Sequence, residues 1–150
     1  MKNSLFPPAV VAGLIGGVIV DAFLALVLRS SPLQIWQYVA SAIVGQVAYA
    51  SLWYAALGFV VHFAVSIFWA VLYVAVVNAV GQTRNWIVGG IVWGVLVDAA
   101  MYGILAIKTG ISFTQGFEQG LLAHVIFYGL PVAYYVARAL HQKKAEHSTT

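Results

Sequence analysis

Residues 13–28 read GLIGGVIVDAFLALVL, and residues 90–105 read GIVWGVLVDAAMYGIL. Laid over one another without a gap, seven of the sixteen positions are identical, and the single carboxylate of each stretch, Asp21 or Asp98, coincides. Apart from that Asp, both stretches are apolar through the length of a membrane crossing, for which about twenty residues of helix suffice. A charged side chain at the centre of such a span costs at least about 2.5 kcal/mol. Two matched carboxylates therefore call for partners that hold them in place.

Composition puts the whole chain in the bilayer. Of 150 residues, 63% are hydrophobic and 7% charged, where a soluble domain carries about a quarter charged residues; the mean hydropathy is +0.94. The fold class expected is an all-α integral membrane protein. There is no cysteine, which excludes disulfides, thiolate metal sites and a cysteine nucleophile. The net charge of +3 owes much to Arg138, Lys143 and Lys144, a cluster that marks a membrane side rather than a nucleic-acid site. At the other end, one lysine precedes about twenty apolar residues, too long for a signal-peptide core and interrupted by Asp21, so a retained first span is expected.

Four spans are expected, at 8–28, 55–77, 86–107 and 119–140. Lys2, Arg84, Arg138, Lys143 and Lys144 then lie on the side of both termini, against Arg29 and Lys108 on the other. By the excess of basic residues on cytoplasmic loops, both termini are cytoplasmic. Between the first two spans, Ser31-Pro32-Leu33-Gln34 has the capping-box pattern with proline at the first helical position. Gln34, Gln37, Ser41 and Gly45 follow as a polar or small stripe. This segment, 32–50, is expected to be an amphipathic or re-entrant helix on the outer leaflet. A fifth span is the alternative, but it leaves almost no turn before the next helix and moves the basic tail outside. Trp36, Trp53 and Trp86 are expected at the membrane interface, and Glu118 at the positive end of the fourth helix.

The second spans align as well, 58–75 on 120–137, with His62 on His124 and Tyr73 on Tyr135. Asp and His are scarce in spans, so their coincidence carries the inference of a tandem duplication. Repeat 1 covers 8–78 and repeat 2 covers 86–140, with a basic tail at 141–150. Two tandem hairpins of the same orientation are related by a pseudo-twofold axis along the membrane normal. Gly13, Gly17 and Asp21 share one helix face, as do Gly90, Gly94 and Asp98. Small stripes of this kind allow close helix packing in lipid, and by symmetry the first and third spans are expected to cross near the axis. His62, Ser66, Trp69 and Tyr73 form one stripe of the second span; His124, Tyr128, Pro131 and Tyr135 form that of the fourth. The expectation is one central cluster of Asp21, Asp98, His62 and His124, in the outer half of the bilayer, surrounded by tyrosines. Tyr102, four residues after Asp98, is placed to hydrogen-bond it. Pro131 frees the carbonyl of Phe127 for neighbouring polar groups.

Several functions are compatible with such a cluster. Asp–His pairs relay protons or pass a small polar solute, since imidazole titrates near neutrality; four short spans enclose little volume, so this reading includes a homo-oligomer. Alternatively, His62 and His124 at matching depths ligate a haem or, with the carboxylates, a metal. A third reading is a non-catalytic accessory subunit of a larger membrane complex, in which buried Asp–His contacts only fix helix register. An enzyme is disfavoured, because no nucleophile–base spacing, phosphate-cradling loop or HExxH motif is present. The elements GLIGGVIVD, SPLQIWQYVASAIVGQVAY, ALGFVVHFAVSIFWAVLY, GGIVWGVLVDAAM and GLLAHVIFYG together resemble the YagU-like family of small four-span bacterial inner-membrane proteins. That resemblance implies a bacterial inner-membrane location and places His62 and His124 in the family pattern, the two Asp positions being more variable. It implies no substrate or cofactor.

Overall fold

The computed structural model of the chain describes residues 5–80, 85–109 and 117–148. They are almost entirely helical: α1 (Phe6–Leu28), α2 (Pro32–Val44) continuing into a 3₁₀ segment (Gly45–Ala50), α3 (Trp53–Val80), α4 (Trp86–Thr109), and a last span. That last span consists of α5 (Phe117–Leu122), a π-helical turn (Ala123–Gly129) and α6 (Leu130–Ser148). Four helices are long and apolar enough to cross a membrane: Phe6–Leu28, Trp53–Val80, Trp86–Lys108 and Phe117–Gln142. They match the four segments expected from hydropathy, each extended at one or both ends. The arginine expected at 84 and the residues of the 110–116 connection lie outside the described residues.

Local signals account for the helix ends. Pro7 and Pro8 sit in the first turn of α1, where a missing N–H costs nothing. The helix stops at Arg29, whose φ of 51° is left-handed and whose N–H bonds back to Ala25 O. Two residues later the capping box starts α2: Ser31 Oγ accepts from Gln34 N at 3.4 Å, and Gln34 Oε1 accepts from Ser31 N at 2.9 Å. A 13-residue helix is about 20 Å long, too short to cross the roughly 30 Å hydrocarbon core. Nor is α2 a loosely attached surface helix. Its Ile35, Gln37, Ala40 and Ser41 are buried, chiefly against α3, with further contacts to α4 and α1.

Glycine decides which helices meet. A side chain at Gly13 would collide with the backbone of Ser66 and Ile67 at 2.8 Å, so α1 and α3 touch there backbone to backbone. Gly90 stands against Gly129 and Leu130, and Gly94 against His124 and Val125 at 2.5 Å. Each glycine stripe is thus used against the next span in the chain. This corrects the expectation that α1 and α4 cross at the centre: they share no sustained contact, and α1 packs instead on α3 and on the last span. Their small faces are already occupied. A Tyr128 ring laid over Gly16 and the stacked rings of Phe23 and Phe127, 4.3 Å apart, join α1 to the last span.

The apolar core lies toward the end of the bundle that holds the start of α1. It is built from Ala9, Ala12, Ala70, Val74, Val77, Val132, Ala133 and Val136, with Tyr73 against Trp93. Gly129→Ala would drive a methyl group into the Gly90 carbonyl and should lower stability by about 1–3 kcal/mol, as overpacking does. Gly103 has open space around its Cβ position, so Gly103→Ala should be neutral or stabilising by up to about 1 kcal/mol. Thermal unfolding in detergent, comparing both variants with the parent, checks the contrast.

Candidate functional site

Asp21 follows Gly17 by one helical turn, and that spacing sets its partner. Because Gly17 has no side chain, the His62 ring lies against the α1 backbone, within 3.3 Å of where a Cβ would be. There its Nε2 is 3.2 Å from Gly17 O and 3.3 Å from Asp21 Oδ1. The N–H is directed at the carbonyl; Asp21 Oδ1 lies alongside without a hydrogen bond. The other carboxylate oxygen, Oδ2, accepts the indole N–H of Trp36 at 2.9 Å.

The second pair repeats the theme with different details. Asp98 is completely buried, and its Oδ1 lies 2.9 Å from His124 Nδ1. That nitrogen is also 2.9 Å from Gly120 O. Gly120 makes the approach feasible, since a Cβ there would stand 2.9 Å from Asp98 Oδ1. Asp98 Oδ2 is buried without a hydrogen bond.

These contacts fix the imidazole tautomers. A carboxylate and a carbonyl only accept, so the ring nitrogen facing both must carry the hydrogen. Neutral His62 is therefore the Nε2–H form and neutral His124 the Nδ1–H form. The remaining nitrogen of each ring, Nδ1 of His62 and Nε2 of His124, carries a lone pair.

His124 and Tyr128 both lie in the π-helical turn, which ends two residues before Pro131. Proline has no N–H and its ring crowds the carbonyl four residues back; here the helix widens ahead of it, Leu130 N bonding to Val125 O. Short π turns of this kind are frequent at functional sites. The Tyr128 hydroxyl donates to the backbone carbonyl of Ser66, tying the last span to α3.

Asp21, His62, Ser66, His124 and Tyr128 all line one cavity of about 100 Å³, whose other walls include Trp69 and Tyr38. A wider cleft of about 660 Å³ adjoins it, and Leu24, Ile35, Tyr38, Met101, Leu105 and His124 line both. Ser30, Gln34 and Gln119, at helix starts and turns, line the cleft, so it reaches the end of the bundle opposite the apolar core. Burial pushes the Tyr38 phenol up to about 12, which keeps it a neutral hydroxyl wherever imidazole titrates.

The expected single cluster is thus two Asp–His pairs meeting at a cavity, with Asp98 set behind His124 rather than on the cavity wall. Tyr128 and Ser66 are at the site, and Tyr102 lines the outer cleft. Tyr73 is buried against Trp93 in the core and is not on the wall of either cavity. Tyr135 is 36% exposed, beside Tyr134. It leaves the expected stripe because a π turn takes more than four residues per turn, so a face extrapolated at α-helical spacing through 124–135 loses phase. Among the described residues no group of three or more His, Cys, Asp or Glu is placed to hold a metal ion.

Trp36 and Tyr38 stand at the candidate site, a position that sequence reasoning missed. Trp36, expected at the membrane interface, turns its indole inward, edge-on to Phe59, to donate to Asp21. Its approach rests on Gly58, where any side chain would overlap the Trp36 carbonyl. Trp53, by contrast, is 84% exposed. No protein-family model, curated protein or solved structure matches the chain, so the chemistry of the site is read from its own residues.

Trp36→Phe keeps the ring but removes the N–H that supplies Asp21. A hydrogen bond to a charged group contributes about 1.5–3 kcal/mol, and the variant should lose stability on that scale. Gly58→Ala should lose it too, by displacing α2. In a double-mutant cycle with Asp21→Asn, measured by unfolding in detergent, the Trp36→Phe effect should largely vanish.

Proposed function

We propose that this chain binds a small solute from one face of a membrane in exchange for a proton held by its two Asp–His pairs. The observation that carries the reading is the convergence of both pairs on one cavity: His62 and His124 each have a carboxylate on one nitrogen and a lone pair on the other. An arrangement that only fixed helix register would not require opposed tautomers on the wall of a shared cavity.

The correspondence of contacts supports the duplication. Gly13 on Ile67 answers to Gly90 on Gly129, Gly17 on His62 and Phe63 answers to Gly94 on His124 and Val125, and Asp21–His62 answers to Asp98–His124. On this reading the chain is two tandem hairpins, and α2 is an insertion in the first that dips beside α3. The basic residues near the termini favour the cytoplasm for that side, and the YagU-like resemblance suggests a bacterial inner membrane. The cleft then opens on the opposite face. The apolar core closes the cytoplasmic half, so onward passage of a proton or solute requires a rearrangement of the bundle or a path shared between copies of the chain.

Nitrogen-15 NMR of histidine-labelled protein in lipid nanodiscs tests the proton-handling step. Neutral His124 should report as Nδ1–H and neutral His62 as Nε2–H, and both rings should take up and release a proton reversibly as the pH is stepped. Rings that hold one protonation state at every pH at which the protein stays folded would overturn the reading.

A further inference from the structure

The two joined cavities differ in character, and the difference has a direction. The inner wall is almost entirely apolar, with Val20, Leu24, Val65, Val97 and Met101 in it, and its polar atoms are withdrawn. Asp21 Oδ1 is occluded, and the Tyr128 hydroxyl is held between Ser66 O and the Ala70 backbone. Polar groups gather in the outer cleft instead. Gln37 is buried there with one amide hydrogen on Ser51 O at 3.1 Å, and its oxygen is not occluded. Gln34 gives its oxygen to the capping box and keeps its amide hydrogens. Gln119 brings a further amide from the last span.

Tyr38 and His124 line both spaces and stand where they join. His124 has directed its N–H at Asp98 and Gly120 and keeps an accessible lone pair at Nε2; the Tyr38 hydroxyl donates and accepts. Among the described residues no Lys, Arg, Asp or Glu lines the cleft. Arg29, between Leu28 and Ser30 in the chain, is exposed and off that wall. A charged head would give up hydration here for no counter-charge. An uncharged head with several hydroxyls meets both donors and acceptors. Size agrees. A dry cavity of about 150 Å³ holds benzene, so the inner space of about 100 Å³ takes the last few carbons of a chain. The cleft, at about 660 Å³, has the volume of a small-molecule site, about 300–1,000 Å³. Leu24, Ile35, Met101 and Leu105, common to both spaces, lay an apolar strip between them.

We propose that the joined cavities bind a single-chain amphiphile with an uncharged polyol head, its chain end in the inner cavity and its hydroxyls among Gln34, Gln37 and Gln119 in the cleft. This names the solute of the proton-exchange reading and rests on that reading only for what binding achieves. The hydroxyl nearest the chain reaches the Tyr38–His124 junction, where the imidazole lone pair accepts its hydrogen. A polyol without a chain leaves the inner cavity unfilled. A phospholipid brings a phosphate that meets no cation on the wall, and a second chain beyond what the inner space takes. No bond forms or breaks in the ligand.

Trp69 on the inner wall reports entry of the chain. A hexyl glycerol ether brominated at the chain end, titrated into the full chain in nanodiscs, should quench tryptophan fluorescence saturably. The saturable part should be lost in Trp69→Phe and reversed by the unbrominated ether. Brominated hexanoate and hexylammonium, whose charges find no partner in the cleft, should bind about tenfold more weakly or worse. Gln119→Leu and Tyr38→Phe should each weaken the ether by about threefold or more, the loss of one hydrogen bond. Quenching that rises with bromide content without saturating, equal or tighter binding of either charged compound, or unchanged affinity in both variants overturns the proposal. The head-group comparison uses the parent protein if a variant does not fold. If the histidines exchange protons but the ether does not bind, the ligand assignment fails alone. If the ether binds and the histidines do not exchange protons, the proton reading fails and the ligand assignment stands.

Discussion

A carboxylate buried among apolar helices must be given donors, and in this chain supplying them organises the helices. Water is scarce at that depth, so each Asp depends on side chains brought within about 3 Å. Reaching that distance requires backbones closer than ordinary side chains allow. Gly17 lets the His62 ring against α1, Gly58 lets α2 bring Trp36 to Asp21, and Gly120 lets the backbone pass beside Asp98. The glycines and the acids are one device. Replacing the acids would remove the reason for the close approach, and filling the glycines would remove the means.

The two pairs are not equivalent, and the difference follows from α2. Asp21 has two neighbours that bring hydrogen, Trp36 at Oδ2 and His62 at Oδ1 in a contact too poorly aligned to be a hydrogen bond, and it also forms part of the cavity wall. Asp98 pairs with His124 and lies behind it. One carboxylate therefore lies on the cavity wall, and the other sits behind the imidazole between the cavity and the cleft. In a strict twofold arrangement both would do the same work. The helix inserted between the first two spans gives only one of them an indole and a share of the cavity.

Much of this was legible in the sequence, and the parts that were not have identifiable causes. Hydropathy gave the four spans because length and apolar content decide a crossing without reference to neighbours. The capping box gave the start of α2 because Ser31 and Gln34 satisfy backbone groups within four residues. The Asp–His pairing was legible from the coincidence of rare residues at matched positions. What α2 packs against was not, because an apolar helix with a tryptophan reads the same whether its indole meets lipid head groups or a buried Asp21. The outward turn of Tyr135 was hidden for another reason: the extra residue in the π turn leaves no mark on composition, although Pro131 shortly after it was a warning that α-helical phase would not be kept.

Closure of the far half of the bundle has its own physical character. α1 and α3, and α4 and the last span, meet backbone to backbone at glycine, contacts that do not slide easily. The boundary between α3 and α4 is different: it is bridged by side chains, Trp93 lying edge-on to Trp69 at 5.8 Å and tilted on Tyr73 at 5.3 Å. Aromatic pairs of this kind contribute about 0.5–1.5 kcal/mol each beyond their burial, and rings can rotate past one another without breaking a backbone hydrogen bond. Trp69 is also on the cavity wall. The cavity and the α3–α4 seam thus share a side chain, while on the other side of the bundle α1 is packed on the last span as closely as on α3.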